Sequence, residues 1–338
     1  MVILMFLIAF TVIITLAVAF VNGLTDAPNA ISSSVSTGCM KLKKAVIVAA
    51  VADFIGAMTV GALSNKVSDT VMNIADFGDD SSLAFAGLCA AMCSVVIWAV
   101  TAWRFGIPTS ESHALIAGLI GAAVAVNGGF EEIDKSELAK VIKGMFVSVV
   151  LGFFAGFAVL KFTIYLFKNI KDNNMNTVFK YSQIASSVLM AFMHGAQDAQ
   201  KFAGILCMVL SASGLENRSD NTSLLPLAVS SVVIAAGTAM GGERIIKTVG
   251  NDMVKLRIEQ GFSSDLAGAI CLFVSTILGF PVSTTHTKTS SVIGVGFADN
   301  VKSVNLKIVG EMIAAWLFTF PGCGLLGWAI TRIIIKFI

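Results

Sequence analysis

Two polar motifs occur twice in this chain, in the same order and at nearly the same offset. Asn22-Gly23-Leu24-Thr25-Asp26-Ala27 returns as His194-Gly195-Ala196-Gln197-Asp198-Ala199. Gly106-Ile107-Pro108-Thr109-Ser110-Glu111-Ser112-His113 returns as Gly279-Phe280-Pro281-Val282-Ser283-Thr284-Thr285-His286. The offsets are 194 − 22 = 172 and 279 − 106 = 173. The pattern is that of a duplication, so the fold must accommodate two copies of one unit. All four motifs sit inside apolar sequence, where polar residues are costly and mark function by default. The three histidines of the chain, His113, His194 and His286, all fall within them.

The apolar background decides the class. Of 338 residues, 56% are hydrophobic and 13% charged, against roughly 25% charged in a soluble domain. Apolar runs of about 20 residues span a bilayer as helices. They do not alternate as barrel strands do. The expected fold is therefore an all-α polytopic membrane protein. A net charge of +2, with no basic cluster interleaved with aromatics, excludes nucleic acid as a partner. The cysteines (Cys39, Cys89, Cys93, Cys207, Cys271, Cys323) lie within or beside apolar runs and read as small packing residues. The N-terminal stretch lacks a basic leader region and reads as the first membrane helix rather than a secretion signal.

The apolar segments expected are 3–22 running into 27–40, then 45–64, 83–103, 109–127 and 143–167. The second half gives 183–213, 224–241, 264–280, 282–297 and 309–331. That is five per half. Alternate connections are basic: fourteen Lys and Arg fall on the side of Lys41, Lys43 and Lys44, and five on the other. The rule that cytoplasmic loops are basic then puts the N-terminus outside. An odd number of crossings per half makes the second copy enter from the opposite face. The expected organisation is two inverted-topology repeats, 1–160 and 183–338, joined by a cytoplasmic connector at 161–182, with broken or re-entrant helices at the centre.

The first motif pair places an aspartate after a glycine in mid-segment. Residues 1–40 would make a helix of about 60 Å, twice the hydrocarbon thickness, and Gly23 and Pro28 offer a place to break it. An aspartate beside freed carbonyls suits a small hard cation such as Na⁺. On this reading Asp26, Asn29 and Asp198 bind the cation. The alternative is that the carboxylates stabilise helix ends or pair with lysine, and Lys201 stands three residues after Asp198.

The second pair follows a proline with hydroxyls: Thr109, Ser110 and Ser112, then Ser283, Thr284 and Thr285. Pro108 and Pro281 suit a first helical turn, and a helix N-terminus attracts anions. Two such termini facing one another would surround a tetrahedral oxyanion with donors. The alternative is N-capping with small-residue packing. His113 and His286 either hold this geometry or carry protons. Glu111 has Thr284 as its counterpart and Lys288 has Leu115. Lys288 serves an anion or forms a salt bridge elsewhere.

At these residues the chain resembles the inorganic phosphate transporter (PiT) family of secondary carriers, across nearly its whole length. The family signature G-x-N-D-x-x-N-A stands here as Gly23-Leu24-Thr25-Asp26-Ala27-Pro28-Asn29-Ala30. The bacterial form H-G-x-N-D-x-Q-K stands as His194-Gly195-Ala196-Gln197-Asp198-Ala199-Gln200-Lys201. The G-[LI]-P-[TV]-S-x-[ST]-H elements match 106–113 and, but for Phe280 at the second position, 279–286. Thr25 and Gln197 replace the family's usual Asn, and a large central cytoplasmic loop is missing.

The resemblance implies import of inorganic phosphate coupled to Na⁺ or H⁺ by alternating access, with Na⁺ favoured. Asp26, Asn29 and Asp198 would then be cation ligands. Thr109, Ser110, Ser112, Ser283, Thr284 and Thr285 would line the phosphate site, supported by Gly23, Gly195, Gln200, Lys201, His113 and His286. No cofactor is implied beyond bound Na⁺. The partners are phosphate, the coupling ion and the lipid bilayer of the plasma membrane, and a homo-oligomer is compatible with the sequence. A carrier of sulfate, of another tetrahedral anion or of metal-phosphate is the competing expectation, and a passive channel is a further one. An intramembrane hydrolase is disfavoured, because no Gly-x-Ser-x-Gly or His-Glu-x-x-His motif occurs and the hydroxyls are duplicated.

Overall fold

The computed structural model describes residues 2–105, 109–168, 175–214, 224–241, 246 and 253–338. Gly106, Ile107, Pro108, Lys171, Arg218, Arg244, Lys247 and connector residues 169–174 lie outside them. The described residues form helices and no strand, with two isolated bridges, Ala75–Ile133 and Val254–Val304. The first half carries α1 (Val2–Thr25), α2 (Pro28–Ser36), α3 (Leu42–Leu63), α4 (Lys66–Asn73), α5 (Ser81–Phe105), α6 (Glu111–Asn127) and α7 (Lys135–Phe167). The second carries α8 (Met175–Ala212), α9 (Leu224–Met240), α10 (Ile258–Leu278), α11 (Thr284–Asp299) and α12 (Leu306–Ile334).

Among the described residues six helical stretches are long and apolar enough to cross a membrane: Leu4–Ser36, Leu42–Leu63, Ser81–Ala102, Lys135–Phe167, Ile258–Leu278 and Leu306–Phe337. The helices α6 and α9 are apolar but only 17 residues long, about 25 Å at 1.5 Å per residue. The outward faces of α7 and α12 carry Phe146, Phe154, Leu317, Phe318 and Leu325, all exposed. In water such a face would be an aggregation hazard; here it is the lipid-facing surface of a multi-pass membrane protein. The short amphipathic α4, with Val67 and Val71 buried, has no counterpart among the expected segments.

The expected break in the first segment is present, between Thr25 and Pro28. Proline takes the first position of α2, where its missing N–H costs nothing. Gly23 is not the break. It lies in the last turn of α1, where a Cβ would run into the Ile234 carbonyl of α9. The second copy departs from expectation, because α8 runs unbroken through His194 to Lys201. The physical reason is one residue. The counterpart of Pro28 is Gln200, which keeps its N–H.

Close approaches repeat under exchange of the halves. Gly23 packs on Ile234 of α9, and its counterpart Gly195 on Asp53 of α3. Gly56 packs on Phe192, and Gly237 on Phe20. Gly121 meets Gly324, and Gly294 meets Phe153. At each of these glycines except Gly324 a Cβ would collide with a backbone carbonyl of the facing helix. These small residues let helices touch where no aqueous hydrophobic force drives them together.

Two helical hairpins dominate the centre. The α10–α11 hairpin is closed at its open end by Arg257 and Asp299, 2.9 Å apart. Its tip turns at Gly279, whose φ of +74° suits glycine. Pro281 lies in this extended tip, two residues ahead of the Ser283 cap, and not in the first helical turn as expected. The α5–α6 hairpin opens at the other end of the molecule. Ser81 at the start of α5 donates to the Ala212 carbonyl at the end of α8 (3.0 Å), whereas Gly261 at the start of α10 packs on Gln183 near the beginning of α8. The two hairpins thus approach from opposite ends of α8, and their tips meet beside its middle.

Candidate functional site

The meeting point is a cluster of buried polar side chains drawn from both halves. Asp26 stands at the break after α1. Its carboxylate accepts from Thr285 Oγ1 on the first turn of α11, and Asn22 Nδ2 lies 3.4 Å from its second oxygen. Asn29, one turn on in α2, donates to the same Thr285 hydroxyl at 2.8 Å. Asn22 also donates to Asp198 Oδ2 of α8 at 3.0 Å, so one amide ties the two duplicated aspartates together. The other Asp198 oxygen takes the Lys201 ammonium at 2.6 Å. Lys201 completes its sphere with Ser112 Oγ at 2.5 Å and the Val282 carbonyl in the hairpin tip at 2.7 Å. Asp26, Asn29, Asp198 and Lys201 are each no more than 3% exposed.

These contacts bring together Asp26, Asn29, Asp198, Lys201, Ser112 and Thr285, all expected at the site. They also answer the alternative posed for Asp198, which is neutralised by Lys201 and has no break in its own helix. Among the described residues no cation pairs directly with Asp26, whose direct partners are Thr285 and Asn22, and a buried carboxylate without a paired cation is costly. Glu111 brings a further buried carboxyl group to this side. It accepts from Thr25, and its second oxygen is buried without a partner.

The hydroxyl pairs divide. Ser110 and Ser283 cap α6 and α11, accepting from the His113 and His286 amides at 3.2 and 3.1 Å, as the capping alternative predicts. Each hydroxyl keeps its own hydrogen free to donate. Thr284 is buried with its hydroxyl unpartnered, and Thr109 is half-buried at the other tip. Behind the tips, His113 and His286 meet edge to face with centroids 4.3 Å apart, and His286 lies 3.8 Å from Trp316. Gln200 donates to the Ala196 carbonyl of its own helix (2.8 Å). Gln197, standing where the resemblance expects Asn, donates to the Phe280 carbonyl of the tip (2.6 Å) and accepts from Thr276 (2.7 Å).

Two buried aspartates, Asp53 and Asp265, lie outside the duplicated motifs. Asp53 accepts from Thr238 (2.7 Å) and faces His194 Nδ1 (3.1 Å), while His194 Nε2 lies 3.5 Å from Asp198. Asp265 holds Lys288 in an ion pair and accepts from Ser187 (2.5 Å) and Gln183 (2.6 Å). Lys288 also donates to Ser33 (2.6 Å), which settles its choice in favour of a salt bridge. Each aspartate is a charge within an apolar segment. The rule that picked out Asp26 finds both when applied without the requirement of repetition.

A helical fold that buries carboxylates, ammonium groups and hydroxyls where two opposed hairpins meet is that of an integral membrane transport protein. The chain belongs to the phosphate transporter family, whose pattern it matches over residues 22–327. It is 36% identical over 325 residues to a probable low-affinity inorganic phosphate transporter of Bacillus subtilis (strain 168), covering 96% of each chain. It is 36% identical over 308 residues to one from Rhizobium meliloti (strain 1021), covering 91% of this chain and 90% of that one. A solved structure of the sodium-dependent phosphate transporter shares the fold, with a TM-score of 0.87 over 98% of this chain and 99% of that one at 21% identity. The family is one of transporters and not of enzymes, so the hydrolase alternative falls.

Proposed function

We propose that this protein imports inorganic phosphate across the plasma membrane by cation-coupled alternating access, with the N-terminus outside. The observation that carries the reading is the meeting of two opposed hairpin tips over a buried carboxylate that lacks a cation, Asp26. The hairpins belong to two inverted repeats, and their matched glycine contacts supply the like surfaces on which one repeat can move against the other. Phosphate sits between the tips. Ser110 and Ser283 supply hydroxyl hydrogens, Thr109 and Thr284 supply free hydroxyls, and the first-turn amides of α6 and α11 complete the donor set. The coupling cation sits at Asp26 and Asn29, whose Oδ1 is buried and unpartnered. The names of the relatives support phosphate as cargo, and the sodium-dependent structural neighbour supports Na⁺ as driver.

The test is uptake of radiolabelled phosphate into proteoliposomes under an inward Na⁺ gradient or an inward H⁺ gradient, with unlabelled sulfate as competitor. Concentrative uptake under Na⁺ that resists sulfate is the expected result. Uptake abolished by equimolar sulfate would assign a different anion, and no uptake under either gradient would overturn the reading.

A further inference from the structure

The two halves of the central cluster correspond position by position, and the residue three places after each duplicated aspartate differs in charge. Asp26 corresponds to Asp198, Thr285 to Ser112 (285 − 112 = 173) and Asn29 to Lys201 (201 − 29 = 172). Around Asp198 the Lys201 ammonium is held by a carboxylate, a hydroxyl and a main-chain carbonyl, at 2.6, 2.5 and 2.7 Å. Those three oxygen types form the coordination shell expected of a small monovalent cation, drawn from the unwound tip and the helix beside it. Around Asp26 the same carboxylate and hydroxyl are present. Asparagine replaces the lysine, and its amide oxygen is unpartnered among the described residues.

We infer that Lys201 is a tethered cation. Its ammonium fills permanently the second of two symmetry-related cation positions, so that only the Asp26 position takes a mobile coupling ion. The inference rests on the cation-coupled reading above and deepens it. It makes Lys201 a determinant of coupling stoichiometry, because a fixed ammonium neutralises Asp198 without being carried across. Exchanging lysine for the first-half residue at that position should therefore open a second site for a mobile cation.

The experiment uses the full chain. Thermal unfolding of Lys201→Asn in detergent is compared in sodium chloride and in choline chloride at equal ionic strength. The variant should unfold at lower temperature than the parent in choline and recover in sodium, since a ligand bound only by the folded state stabilises it. In proteoliposomes its apparent Na⁺ order for phosphate uptake should rise by about one, the increment that one added binding site supplies. Equal destabilisation in both salts, or recovery only on acidification, would overturn the inference. If the variant does not fold, Asn29→Lys decides. A second tethered ammonium beside Asp26 should abolish the Na⁺ response of both stability and uptake, and an unchanged response would overturn the inference. The salt comparison on Lys201→Asn reads cation binding without transport. Parent protein whose uptake ignores every cation gradient counts instead against the proposed function.

Discussion

Asp26 and Asp198 share a motif, yet only Asp198 has a cation on its carboxylate. The sequence made both aspartates visible, because a duplicated carboxylate in apolar sequence has few structural uses. It also offered Lys201 as a partner through its i,i+3 spacing. The bridging role of Asn22 was not legible, because 176 residues separate it from Asp198. Nor was the commitment of Ser110 and Ser283 to caps, since a capping serine and a ligand-binding serine read alike before the helix start is fixed. At this scale Asp26→Asn should raise the half-saturating Na⁺ concentration for uptake by at least about tenfold, equivalent to 1.4 kcal/mol. Initial rates over a Na⁺ titration check it, and an unchanged half-saturation removes Asp26 from the cation site. Thr284→Val should raise the half-saturating phosphate concentration while leaving thermal stability nearly unaltered, since its hydroxyl has no hydrogen-bond partner among the described residues.

The helices were largely readable in the sequence, because apolar runs and their charged borders mark them directly. The missing break in α8 was not, although the reason lay in a single exchange of proline for glutamine. The hairpins carry their own tests. Lys288→Leu strands the Asp265 carboxylate between α8, α10 and α11, and should cost about 3–5 kcal/mol as a broken buried pair. Adding Asp265→Leu should return much of that loss in thermal unfolding, and equal loss in the double variant would show that the pair does not act as a unit. At the open end of the α10–α11 hairpin, the Arg257 guanidinium holds the Asp299 carboxyl below the usual carboxylate range. A depressed folded value means that the contribution is present above the unfolded pKa of about 3.9 and is lost as pH falls through the lower folded value. Both side chains are partly exposed, so the pair adds less than about 1 kcal/mol and weakens in salt. Arg257→Met should therefore lower the unfolding temperature slightly at pH 7 and not at pH 2. An equal loss at both would assign the effect to packing.

For the whole molecule, the duplication seen in the sequence reappears as matched glycine contacts between the halves; the α10–α11 hairpin opens beside Lys255, Arg257 and Lys302, and the α5–α6 hairpin opens beside Asp76, Asp79 and Asp80. Ala75 pairs with Ile133 and Ser81 with Ala212 on one face, and Val254 pairs with Val304 and Arg257 with Asp299 on the other. On the proposed reading the ion gradient sets the direction of transport, and the asymmetry between Asn29 and Lys201 sets how many mobile cations accompany phosphate. The most direct measurement is simultaneous uptake of radiolabelled Na⁺ and phosphate into proteoliposomes by the parent protein and by Asp26→Asn. In the parent, Na⁺ and phosphate should accumulate together in a fixed ratio. At the Na⁺ concentration that half-saturates the parent, Asp26→Asn should exchange phosphate down its gradient without concentrating it. Concentrative phosphate uptake by Asp26→Asn at the parent's Na⁺ ratio would contradict the account.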